Sequence, residues 1–279
     1  MPKIPARARS VVTGAGSGFG RAISLELAAR GSRVLCSDID LGTAEETAAM
    51  IRARGVDAHA MRTDVRDAAQ VEALAARSDE LWGGTDVLVN NAGVAVAGAV
   101  GEIPLDDWRW QIDINLYGVI YGCHAFVPRM KKANAEGKGH AFILNVASSA
   151  GLLAAPMMGP YNVTKAGVIA LSETLYTELA KDRISVSALC PTFFRTNIHK
   201  NARSAGMDAV KARTEKLVTE AKWSAEEIAQ HAVRGLERRT LYIIPQTDGK
   251  ALWRMKRALG DGFYRGIGAL AKRGLLDRL

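Results

Sequence analysis

The chain has 279 residues, 48% of them hydrophobic and 24% charged, a balance that fits a folded domain with a sizeable core and excludes a disordered or fibrous chain. Its net charge of +8 is unevenly spread: residues 1–200 hold 21 Lys and Arg against 20 Asp and Glu, whereas residues 250–279 hold 8 against 2. The basicity therefore belongs to the C-terminal tail, which argues against a nucleic-acid groove across the body. Cys36, Cys123 and Cys190 sit in separate apolar stretches and read as reduced core thiols of a cytoplasmic protein. The five histidines show no paired spacing, so no metal set is expected. The first residues hold no apolar run of signal-peptide length, and no later run reaches membrane-spanning length.

In chain order, short apolar runs predict strands at 10–14, 32–38, 57–64, 86–93, 141–148, 183–190 and 240–245, with helical spacing between them. Strands apolar almost throughout, alternating with helices, predict an α/β protein: a parallel sheet covered on both faces. Residues 1–248 read as one domain, and 131–140 (KKANAEGKGH) as a surface loop before the fifth strand. The first strand runs into TGAGSGFG, where Gly14, Gly16, Gly18 and Gly20 would let the backbone approach a pyrophosphate held on the following helix N-terminus. Asp38 lies eighteen residues past Gly20 at the end of the second strand, where a carboxylate can accept from an adenosine ribose diol. That carboxylate would repel a 2′-phosphate, and Ser17 stands where a cation could have neutralised one. NAD(H) is the expected cofactor, with Arg21 and Arg33 near enough in sequence to keep NADP(H) open.

The glycine turn departs from the G-x-G-x-x-G spacing and resembles the TGxxxGxG turn of the short-chain dehydrogenases/reductases. NNAG (90–93), Asn115 in DINLYG, Ser148 in NVASSAG, and Tyr161 and Lys165 in YNVTK follow in the family's order, over residues 13–196. The resemblance implies a doubly wound Rossmann fold, a seven-stranded sheet in the order 3-2-1-4-5-6-7, and a homodimer or homotetramer. It implies Asn115, Ser148, Tyr161 and Lys165 as the catalytic set. Cofactor contacts are implied at Gly14, Ser17, Gly18, Phe19, Gly20, Asp38, Asp64, Val65, Asn91, Ala92, Gly93, Tyr161, Lys165, Pro191, Thr192 and Thr196. Thr192 stands where the family usually has glycine.

The chemistry also follows from the residues. Positions i and i+4 share a helix face, so Lys165 can approach the Tyr161 ring. Two unit charges about 4 Å apart at an effective dielectric of 20 interact by about 4 kcal/mol, enough to bring a phenol toward neutrality. Tyr161 would then be general base to an alcohol or general acid to a ketone. Ser148 would hold the substrate oxygen, and by family analogy Asn115 would anchor a water leading to Lys165. Val94, Val96, Leu152, Leu153, Met157, Met158, Phe193 and Phe194 are candidate pocket residues, with 193–222 as a lid. They point to a hydrophobic secondary alcohol or ketone. A 3-oxoacyl thioester is the alternative substrate, and a non-catalytic NAD-binding regulator the alternative of another class. Residues 249–279 read as a basic amphipathic extension, able to meet an anionic membrane surface or to pack on the protein itself.

Overall fold

A computed structural model describes residues 4–137, 139–196, 198, 202–204 and 215–273. Seven strands pair in parallel: β1 (Arg9–Thr13), β2 (Arg33–Asp38), β3 (Ala58–Arg62), β4 (Val87–Asn90), β6 (Ala141–Val146), β7 (Ile184–Leu189) and β9 (Tyr242–Ile243). Their order, β3-β2-β1-β4-β6-β7-β9, is the 3-2-1-4-5-6-7 arrangement. A separate parallel pair joins β5 (Val96–Ala97) to β8 (Arg203–Ser204). Several strands end earlier than their apolar runs suggest. Residues 91–93 and 147–148 leave the ladder and turn toward the sheet's C-terminal edge.

Successive strand residues feed opposite layers, as a period of two requires. Val12, Cys36 and Leu144 pack with α1 (Gly18–Ala29), α2 (Leu41–Arg52) and α8 (Ala225–Glu237). Val11, Leu35 and Ile143 pack with α3 (Ala68–Trp82), α5 (Gly118–Ala135) and α7 (Gly159–Glu178). The three cysteines are buried and unbridged within these layers. Smaller helices α4 (Leu105–Ile112) and α6 (Ser149–Leu153) stand at the sheet's C-terminal edge, and α9 (Thr247–Leu259) and α10 (Asp261–Lys272) form the tail. Among the described residues no helix is long and apolar enough to cross a membrane.

The loop expected at 131–140 is a correction: α5 continues to Ala135. Its last turn is docked, because the buried Asn134 donates through Nδ2 to the carbonyl oxygens of Asp182 (2.8 Å) and Arg183 (3.1 Å), and Lys131 pairs with Asp182 at 3.0 Å. Polar composition hid a helix end whose polar groups are used for tertiary contact. Of the expected lid, 193–222, residues 197, 199–201 and 205–214 lie outside the described residues, as do 274–279 of the extension.

Candidate active site

The strand order reverses between β1 and β4, and a cavity of about 600 Å³ opens beyond their C-terminal ends. The glycine turn forms one wall. Gly14 has φ of +64°, and at Gly20 a Cβ would meet the Gly14 carbonyl oxygen at 1.8 Å, so no side chain fits beneath the turn. Asn91 braces the turn, donating through Nδ2 to the carbonyl oxygens of Thr13 (2.8 Å) and Gly14 (3.1 Å). Ser17 does not cap α1 with its side chain, and no acidic residue occupies the first turn. The helix N-terminal N–H groups are thus left for an anion where Gly18, Phe19 and Gly20 line the cavity, which fits a dinucleotide pyrophosphate.

Asp38 lines the same cavity at the end of β2, its Oδ2 accepting from the Gly16 N–H (2.9 Å) and its Oδ1 from that of Asp40 (3.2 Å). Neither arginine that kept a 2′-phosphate open stands free beside it. Arg21 is bound to the Gly16 carbonyl, Thr47 and Glu46. Arg33 begins β2, at the opposite end of the strand, stacked over the Trp82 ring at 5.4 Å. Arg66 does line the cavity, but its guanidinium is forked on Asp64, whose carboxyl it holds below the usual range.

Ser148 follows β6 and caps α6, its Oγ accepting from the Ala150 N–H at 3.1 Å. Pro160 stands in the first turn of α7 and is followed by Tyr161, with Lys165 one turn further along. Lys165 is only 3% exposed; its Nζ donates to the Val146 carbonyl (2.8 Å) and lies 5.6 Å from the Tyr161 ring centroid. Burial pushes the Tyr161 phenol up to about 12, opposed by its hydrogen bond with Ser148. Burial also pulls the Lys165 ammonium down to about 8, with a smaller opposing effect from Cys190. The expected lowering of the phenol by the lysine is therefore outweighed in this site. The ammonium turns to a backbone carbonyl, and desolvation acts on both groups.

Asn115 is the one expected catalytic residue that does not line the cavity. It lies fully buried in a π-helical turn, Asp113–Tyr117, that joins α4 to α5. Its side-chain amide is engaged on both sides with Val94, accepting from the N–H and donating to the carbonyl, each at 2.8 Å. The side chain fixes the loop after NNAG. All the other expected catalytic and cofactor residues line this one cavity, from Gly14 and Asp38 through Asp64, Val65, Asn91, Ala92 and Gly93 to Ser148, Tyr161, Lys165, Pro191, Thr192 and Thr196.

Of the expected pocket residues, Val94, Leu153, Met158, Phe193 and Phe194 line the cavity. Val96 and Leu152 are instead buried core, and Met157, whose carbonyl accepts from the Gly98 N–H at 2.8 Å, does not line the cavity. Sequence reasoning missed Trp110, Val218, Asp248 and Leu252, which also line it. Thr192 is held by elements far along the chain: its N–H donates to Gln246 Oε1 (3.1 Å) and its hydroxyl to Asp248 Oδ2 (3.3 Å). No local signal could have revealed these contacts.

Arg203 was also missed. Its guanidinium stacks 3.8 Å from the Trp110 centroid and pairs with Asp107 at 2.8 Å, while its N–H donates to the Ala95 carbonyl. The contact straps β8 across the cavity wall. Arg203→Ala is expected to raise KM several-fold with a stability change below about 1 kcal/mol, because the ion pair is partly exposed. Steady-state kinetics beside thermal melting checks this.

Residues 9–206 match the family described as short chain dehydrogenase. The chain is a short-chain dehydrogenase/reductase. This chain is 34% identical to a short-chain dehydrogenase/reductase from Burkholderia phymatum whose crystal structure is in complex with NAD, with a TM-score of 0.87 over 93% of this chain and 95% of that one. It is 26% identical to the 3-ketoacyl-(acyl-carrier-protein) reductase of Brucella melitensis, complexed with NADH, with a TM-score of 0.73 over 84% and 93% of the two chains. The "Probable oxidoreductase EphD" of Mycobacterium tuberculosis is 38% identical over 187 residues, 67% of this chain and 31% of that protein. This chain thus spans about a third of the length of that relative.

Proposed function

We propose that the enzyme transfers hydride between NAD(H) and a hydrophobic secondary alcohol or its ketone, with Tyr161 moving the proton. The observation that carries this reading is one cavity lined by the glycine turn and Asp38 and by Ser148, Tyr161 and Lys165. The dinucleotide would supply the hydride acceptor or donor through its nicotinamide when bound; Gly18–Gly20, Asp38, Asn91–Gly93 and Thr196 are the residues that would hold the dinucleotide. Ser148 donates to the substrate oxygen, and Tyr161 gives or takes the proton at that oxygen. Lys165 keeps a positive charge beneath the phenol at neutral pH. Val94, Leu153, Met158, Phe193 and Leu252 offer the substrate apolar contact.

Initial rates with NAD(H) and NADP(H), against alcohols and ketones graded by chain length and ring size, test this reading. NAD(H) should be preferred and rates should climb with apolar bulk; a preference for NADP(H) would reject the cofactor assignment. Asp38→Asn is expected to raise the KM for NADH by about ten- to a hundredfold, the worth of a charged hydrogen bond, and to lower that for NADPH. The ketoacyl reductase relative favours a second substrate, a 3-oxoacyl thioester. A kcat/KM higher on acyl thioesters than on free ketones of equal length would select it.

A further inference from the structure

We propose that helix α9 seats the enzyme on an anionic lipid surface, with the mouth of the cavity turned toward the bilayer. The docking stands on the tail's own geometry; the lipid route to the cavity rests on the hydrophobic-substrate reading above.

Helix α9 presents three faces. One is pinned to the body: Gly249 packs so closely on Thr192 that a Cβ would lie 2.8 Å from its methyl, and Lys256 Nζ donates to the Leu152 carbonyl at 2.6 Å. The second is an exposed apolar stripe at spacings of three and four residues: Leu252, Met255 and Leu259, at 39%, 44% and 55% exposure. The third carries the exposed cations Lys250, Arg254 and Arg257. The following helix buttresses this arrangement, burying Phe263 and donating from Tyr264 to the Leu153 carbonyl at 3.0 Å. The stripe is therefore held in a fixed orientation relative to the active site.

The stripe also begins at the cavity. Leu252 lines it together with Phe193, itself 46% exposed, so apolar surface runs from the cavity mouth onto the outer side of α9. An apolar stripe with a cationic face across the helix from it suits an interface where hydrocarbon meets anionic headgroups, with the Lys and Arg stems reaching back to headgroup level. A second copy of the chain fits less well, because a two-fold contact through this face would bring two sets of tail cations together. An acidic protein would answer the cations but leave less use for the apolar stripe.

Co-sedimentation of the full chain tests the proposal, using phosphatidylcholine vesicles with and without phosphatidylglycerol. The wild type is expected to pellet with the anionic vesicles only, and less at high salt. Lys250→Gln with Arg254→Gln should weaken partitioning by about thirtyfold, and Met255→Glu with Leu259→Glu should abolish it. None of these four residues lines the cavity, so turnover of a short water-soluble ketone should stay at the wild-type level in both variants. Tyr161→Phe should pellet like the wild type, which separates docking from chemistry. The proposal is overturned if the wild type stays in solution or if either double variant pellets equally. It is also overturned if Met255→Glu with Leu259→Glu lowers the oligomeric state, or selectively loses turnover of a carrier-protein-bound substrate, while vesicle binding is unchanged.

Discussion

Tyr161→Phe is expected to lower kcat by about a hundred- to ten-thousandfold while NADH still binds, the range for losing a positioned general acid or base. Phenylalanine keeps the ring and its packing over Lys165, and removes only the hydroxyl that Ser148 addresses. Fluorescence titration with NADH beside turnover separates the two effects; a variant that keeps wild-type turnover ends the proposed mechanism. The buried phenol also sets a pH asymmetry. At about 12 it remains protonated through the neutral range, so ketone reduction always finds its proton. Alcohol oxidation needs the phenolate, whose fraction grows about tenfold per pH unit below that value. Oxidation should therefore keep accelerating from about pH 6 to about pH 8, the range in which Lys165 keeps its charge, while reduction stays flat. An oxidation rate that levels off near neutrality would mean that the bound, oxidised cofactor and Lys165 bring the phenol down after all.

The parallel sheet and its strand order were legible because buried parallel strands write continuous apolar runs, and because the motifs at their C-terminal ends sit at fixed spacing. Gly14, Gly20, Asn91, Ser148, Tyr161 and Lys165 each carry a local constraint, such as a turn, a cap or an i,i+4 pair, that survives in one dimension. What stayed hidden was long-range. Gln246 and Asp248 reach back 54 and 56 residues to Thr192, and Arg203 reaches 96 residues to Asp107. The electrostatics were half legible. Spacing showed that Lys165 shares a helix face with Tyr161, but not that the ammonium would be buried and turned to the Val146 carbonyl. The tail showed the same division: its amphipathic period was plain in the sequence, but which residues would be buried depended on where α6 lay.

Lys165→Met should yield an enzyme with little activity but greater stability at neutral pH. Burial lowers the lysine from 10.5 to about 8. Below about pH 8 folded and unfolded chains both carry the proton, and the folded state bears the full cost of the buried charge, about 3 kcal/mol. Methionine removes that cost but leaves the Val146 carbonyl without its partner, which subtracts about 1 kcal/mol. A net gain of about 2 kcal/mol is expected at pH 7. Between about pH 8 and 10.5 the folded chain releases the proton while the unfolded chain still binds it, so wild-type stability rises with pH. Above that window the charge cost is gone, and the variant should be less stable than the wild type by about 1 kcal/mol. Urea unfolding at about pH 7 and about pH 10 reads the change directly; a stability gap that does not move with pH would show that burial leaves the lysine's proton affinity as it is in the unfolded chain. A chain that keeps a costly buried ammonium four residues from its tyrosine is stabilising something other than its own fold, and the loss of turnover in the same variant should show that this is the reacting proton.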